Sequence, residues 1–327
     1  MFSLPHLIRR VSRQRLVSAS VMLGIALAVA LGVAVPLATA ALASMGLRAT
    51  VEALPRSSQN IQLTRRVEPF DAAFQQRLQR RLGDLIGYSY TVSYTPILDA
   101  RRETPVLAAP VRLRTQGGLI EHSVVTGRVP RPRPLHRLPP SEQGCNEASP
   151  VEVLVSAEQL AANSLAVGDQ LCIGSILPAI ITGSFVPRNL EEDYWFGDHR
   201  PVRGEIDPTP PDQLIVVLML AEEDFASVAP VFGGEPGTHI YRALVRTAAI
   251  NLDTLDDVDS RLRTFRTDAN TLQPRPIVLT GLDRAIVTFH TRFQLLQSAL
   301  AALLLGLLTL AIVYVVFVGA LATERQS

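Results

Sequence analysis

Lysine is absent from this chain. All 31 basic side chains are arginine, set against 30 Asp and Glu, and the formal net charge is +1. The missing ammonium excludes a Walker-type phosphate loop, a pyridoxal Schiff base and a lysine nucleophile. A GC-rich genome is the plain explanation of the bias. A near-neutral balance with no basic stripe makes no case for nucleic acid as a partner. Cysteine is scarce too. Cys145 and Cys172 cannot complete a four-ligand zinc site alone, and no His pair stands at ligand spacing. His122, His199 and His239 are scattered, no Gly-x-Ser-x-Gly elbow occurs, and no Cys–His spacing suggests a nucleophile and base. The expectation is a chain with no catalytic residue, no cofactor and no metal site.

What the chain has in abundance is apolar sequence, which makes up 47% of it. Residues 294–323 carry no charge, and about 20 apolar residues suffice for an α-helix to cross a bilayer. Residues 293–322 are therefore read as a transmembrane helix. A second uncharged run covers residues 16–47, behind Arg9, Arg10, Arg13 and Arg15. A basic flank before a long apolar run reads as a span with its N-terminus in the cytoplasm. The rival is a cleaved signal peptide ending near Ala41-Leu42-Ala43, but signal cores run roughly 7–15 residues and this one is about twice that. Gly24, Ala28 and Gly32 share one face, a spacing that permits close helix approach or simply marks an alanine-rich helix.

These spans place residues 48–292 outside the cytoplasm. Strands are expected at 60–64, 88–94, 110–115, 151–155, 170–173, 178–186, 213–220, 238–246 and 277–279. Helices are expected at 68–85, 157–162, 222–225 and 253–265. Residues 128–140 hold five prolines, cannot continue a helix or central strand, and read as a linker. The fold class is α+β, a mixed α/β extracytoplasmic domain of two subdomains between two transmembrane helices. An inserted subdomain is expected at about 129–212. Residues 1–15 form a basic cytoplasmic N-terminus, and 323–327 begin a cytoplasmic segment.

Several side-chain groups carry a candidate role. Leu47, Val51 and Leu54 continue the first helix as a stripe, as do Leu282, Ile286 and Phe289 ahead of the second. Together they are read as stalks that zip above the membrane. Cys145 and Cys172 fall in one subdomain and an oxidising compartment, so a disulfide is expected, worth roughly 3 kcal/mol by loop entropy; two separate thiols are the rival. Asp253, Asp256, Asp257 and Asp259 lack the alternation and central glycine of a calcium loop, and read as an N-cap and acidic first turn. Glu191, Glu192 and Asp193 beside Tyr194 and Trp195 form either a solvated loop or a contact for a cation or partner.

The order of basic N-terminus, span, large external domain and second span resembles the FtsX-like permease family, the membrane subunits of MacB-type and lipoprotein-releasing ABC transporters. The most suggestive stretches are Val153-Leu154-Val155-Ser156, Leu160, Leu165-Ala166-Val167-Gly168-Asp169 and Leu171, then Gly183, Phe185 and Tyr194-Trp195. Residues 319–325 look like the exit of such a permease from the membrane. The resemblance implies a MacB-like periplasmic core domain, an ATPase partner, a homo- or pseudo-dimer of permease units in lipid, and residence in a bacterial inner or plasma membrane. It also implies coupling through Thr323, Glu324 and Arg325, against a plain polar exit in which Arg325 obeys the positive-inside rule. The family continues with further membrane helices, so the chain is expected to be an N-terminal portion. Two rivals share the architecture: a two-span sensor of the chemoreceptor type, and a membrane-anchored scaffold.

Overall fold

The computed structural model describes residues 4–66, 68–102, 107–132, 145, 149–206, 213–232 and 237–324. Helix α1 (Leu4–Glu52) runs unbroken through Pro36. A short α2 (Arg56–Gln59) leads into β1 (Ile61–Arg66), α3 (Ala72–Leu82), β2 (Ile86–Tyr94), β3 (Leu98–Arg102), β4 (Leu107–Gln116) and β5 (Ser123–Gly127). Next come β6 (Val151–Ser156), α4 (Ala157–Ala162), β7 (Gln170–Ile173), β8 (Leu177–Pro187), α5 (Arg200–Arg203), β9 (Glu205–Ile206) and β10 (Leu214–Met219). The chain closes with α6 (Glu222–Val228), β11 (Thr238–Val245), α7 (Leu255–Asn270), β12 (Ile277–Leu279) and α8 (Leu282–Glu324). Two compact units result: residues 1–51, 251–253 and 284–327, and residues 52–250 and 254–283.

The second unit is a mixed α/β domain on one 12-stranded sheet, in the order β12-β1-β11-β2-β4-β3-β7-β8-β6-β10-β9, with β5 added on β8. Because β10 also pairs with β4, the strands β4-β3-β7-β8-β6-β10 close into a ring. Alternation sends one side chain of each pair inward. The ring is filled by Val111 and Leu113 of β4, Val153 and Val155 of β6, Ile181 of β8, and Val216 and Leu218 of β10. Phe225 and Val228 of α6 join this cluster. Within the bounds 129–212 expected for an inserted subdomain, β6 pairs with β10 and β7 with β3, both of which lie outside those bounds.

Open strands β12, β1, β11 and β2 continue the sheet beyond the ring. Phe70 stacks on Phe74 of α3 and meets Tyr241 of β11 edge-on, so α3 covers the face carrying Leu63 and Tyr241. The face expected at 70–85 is buried as Phe74, Leu78, Leu82 and Leu85, but the helix starts four residues later than expected, at Ala72. Asp71 decides the start, its carboxylate accepting from Phe74 N. Helix α7 likewise starts late: Thr254, not Asp253, is its N-cap, and it runs on to Asn270 because Ala269 extends the buried face. Strands β3, β5 and β9 stand where the sequence pattern predicts none. β3 reads LDARR, whose polarity hides the fact that Arg102 is buried.

In the first unit the exposed apolar surface is long. Leu303, Leu305, Leu310, Val313 and Phe317 of α8 and Val29, Val33 and Leu37 of α1 are all exposed. Among the described residues, two segments are long and apolar enough to cross a membrane, Gly32–Glu52 and Leu282–Tyr314, the second with a mean hydropathy of 2.3.

Candidate functional site

The stalk residues are packed, with one exception. Leu47, Val51, Leu282, Ile286 and Phe289 are buried, whereas Leu54 is half-buried. Within the first unit, a β-carbon added to Gly46 would meet Phe289 Cε2 at 3.9 Å, an ordinary van der Waals distance. Gly24 and Gly32 have nothing that close among the described residues. Thr323 and Glu324 lie in the last turn of α8, and Arg325 lies outside the described residues. Cys145 and Cys172 are joined, with Cα atoms 5.8 Å apart, which ties the segment after the proline-rich stretch to β7. Most of that stretch, from residue 133 on, falls outside the described residues.

The Val167-Gly168-Asp169 turn is a built structure. Gly168 takes φ +101°, its N–H donates to Ile181 O at 2.7 Å, and Asp169 accepts from Ala166 N at 2.9 Å. Buried Arg102 donates to the Asp169 carboxylate. Gly183 of β8 faces Gly127 of β5 so closely that a β-carbon on it would stand 2.7 Å from Thr126 O. Only glycine fits there.

Tyr194 and Trp195 are core residues and not a partner-facing pair, being 1% and 0% exposed. They pack with Tyr90, Val92, Phe185, Val217 and Met219 on the outside of the ring. Tyr90 Oη donates to Tyr194 O, and Tyr194 Oη donates to Gly117 O at 3.0 Å. Burial raises both phenols above their ordinary range. The neighbouring acids stay outside and pair, Glu192 with His122 Nδ1 at 2.9 Å and Asp193 with Arg56 at 3.2 Å. The aspartates of α7 pair within their helix, Asp257 with Arg261 and Asp259 with Arg263. No group of three metal-ligating side chains occurs among the described residues.

Sequence reasoning missed the most unusual constellation. On the outer face of β4 and β11, Arg114 and Arg242 are 3% and 2% exposed. Both donate an Nη2 to Asp198 Oδ2 at 2.9 Å. Arg200 adds Nε to Asp198 Oδ1 at 2.7 Å and Nη2 to Oδ2 at 3.1 Å. One carboxylate therefore serves three guanidiniums. Burial opposes the charge of Asp198, but the three arginines outweigh it and hold the carboxyl well below the usual range. Burial, with Arg242 nearby, lowers Arg114 from its ordinary value. Phe196 lies against Arg242, 5.0 Å from guanidinium carbon to ring centre, and gives the cation a π face.

The local chain explains how this cluster is held. Phe196 and Gly197 take φ +55° and +68°, turning the backbone to aim Asp198 inward. Buried Gln159 of α4 donates to Pro201 O at 2.7 Å and accepts from Val217 N at 2.7 Å, locking α5 to β10. Ser156 donates to Val202 O. Gly204 ends α5 at φ +83°, where a β-carbon would stand 2.7 Å from Leu214 Cδ1. Beside the cluster a cleft of about 570 Å3 is lined by Gln62, Phe196, Asp198, Arg200, Arg203 and Arg242, among others.

No family model and no curated protein sequence matches the chain. Among solved structures, the extracellular domain of the ABC-type transporter YknZ from Gram-positive bacteria aligns with 68% of this chain and 100% of its own length, at 9% identity and a TM-score of 0.34. A domain assigned to a permease of Porphyromonas gingivalis aligns with 64% of this chain and 85% of its own, at 11% identity and the same TM-score. Both scores are below those of a shared fold.

Proposed function

We propose that the chain is a non-catalytic permease subunit of an ABC transporter, an N-terminal portion of the FtsX-like kind, sitting in a bacterial inner or plasma membrane with residues 48–292 outside. The observation that carries this reading is α8. None of its 18-residue apolar window is buried. Such a surface is stable only when lipid or another apolar helix covers it. A chain without lysine supplies no Walker ammonium, so the energy for transport would come from a partner ATPase. The dimer of permease units and the roles of Thr323, Glu324 and Arg325 belong to the same reading. In it, ATP-driven closure of the partner pushes the cytoplasmic ends of the spans, and α1 and α8 carry the displacement to the external domain. That domain then expels a substrate or releases a lipoprotein.

The reading is tested by purification from native membranes followed by helix-breaking substitutions. An ATPase should co-purify with the chain. Val51→Pro and Ile286→Pro, each removing a helical hydrogen bond at a local cost of about 3 kcal/mol, should abolish transport while leaving the ATPase bound. A membrane-held chain that brings down no ATPase would turn the reading towards a sensor or scaffold. Full transport in both variants would remove the stalks from the mechanism.

A further inference from the structure

The Asp198 cluster is short of negative charge. Arg114, Arg200 and Arg242 converge on that single carboxylate, and Arg203 adds another cation at the cleft wall. Glu205 pairs with Arg112 and also faces Arg200, so it offsets only part of this excess. Buried guanidiniums in excess of their carboxylates are costly, because the field of each opposes the others in a medium that screens poorly. The unmet demand shows in the hydrogen bonding. Among the described residues lining the cleft, Arg242 Nη1 is buried without a hydrogen-bond partner. Buried N–H groups left in this way are uncommon in native proteins.

From these observations we infer that the cleft beside α5 is a binding site for a dianionic group of phosphate chemistry. Arg203, exposed, and Arg200, part-exposed, supply accessible donors, with the positive field of Arg242 and Arg114 behind them. Guanidinium is suited to this task, since its fork of N–H donors matches the oxygens of a phosphate. Phe196, Ile206 and Leu214 give the same cleft an apolar side, which suits a phosphate carried on a small organic body. A free phosphate ester and a lipid headgroup share this chemistry. The site is independent of the transport reading, because it lies wholly within the second unit.

The test uses the full chain in detergent micelles. Inorganic phosphate should raise the melting temperature saturably, and chloride at matched ionic strength should not. Arg203→Ala should weaken phosphate binding about tenfold, the usual loss of one charge-assisted contact, with an unchanged melting temperature when phosphate is absent. Arg242→Gln probes the buried field, but failure to fold would blur its result, so Arg203→Ala decides. Dihexanoyl phosphatidic acid distinguishes the sources. Competition with phosphate at lower concentration marks a lipid headgroup, and no competition marks a free phosphate ester; both support the site. Equal responses to phosphate and chloride, or the same phosphate affinity in Arg203→Ala, would overturn it.

Discussion

Strand β4 has two faces that solve opposite problems. Its inward side chains, Val111 and Leu113, join a ring interior of valine, isoleucine and leucine in which nothing needs a partner. Its outward side chains, Arg112, Arg114 and Gln116, are largely buried as well, yet they meet Tyr94, Asp198 and Glu205. The same six residues of backbone thus serve a dry core and an ionic one. The dry side is non-directional and tolerates imperfect geometry, since burial stabilises in proportion to area. The ionic side works only as a set. Removing one partner leaves charges whose solvation has already been given up.

The largest effect should come from breaking the ionic side at its hub. Asp198→Asn leaves three guanidiniums without their carboxylate, and urea unfolding should show a loss of about 4 kcal/mol. Acid titration sharpens this result. The folded-state pKa of Asp198 is depressed, so its contribution is complete above the unfolded value of about 3.9 and is lost as pH falls through the lower folded value. Wild type should therefore lose stability on acidification below about pH 4, and Asp198→Asn should lack that part of the slope. A variant that keeps the full slope would show that other carboxylates cause it.

On the dry side, Leu218→Ala should cost about 3 kcal/mol through lost transfer energy and a cavity. This loss should be the same at neutral and mildly acidic pH, because the side chains packed around Leu218 in that cluster are aliphatic or phenyl and do not titrate. A pH-dependent loss would mean that the two faces are coupled through β10. The smallest effect should follow Ser156→Ala, which removes the cap of α4 and the donor to Val202 O, at roughly 1–2 kcal/mol. Hydrogen exchange should loosen α5 in that variant and leave the amides of the ring interior protected.

The dry side was legible in the residues one after another. The run QLIVVLML announces β10, and alternation announces β1, because a half-buried strand repeats every two residues. Phe74, Leu78 and Leu82 recur at helical period and are buried in α3. The ionic side had no such signature. Arg114 and Arg242 sit in strand patterns where an arginine normally reads as solvent-facing, and Arg102 hid β3 for the same reason. Tyr194 and Trp195 stood out by composition, but their acidic neighbours suggested a surface loop. Packing put the rings inside and the carboxylates outside.

By itself the sequence determined what depends on neighbours along the chain: two long uncharged helices, the strand and helix periods, and a chemistry without an ammonium. Tertiary structure alone decided the closure of six strands into a ring and the meeting of Arg114 with Asp198 across 84 positions and of Arg242 with Asp198 across 44. Hydrophobic periodicity is a local property, because each side chain needs only to face away from water. An ion cluster is a property of three segments at once, and no one of them records where the others will be.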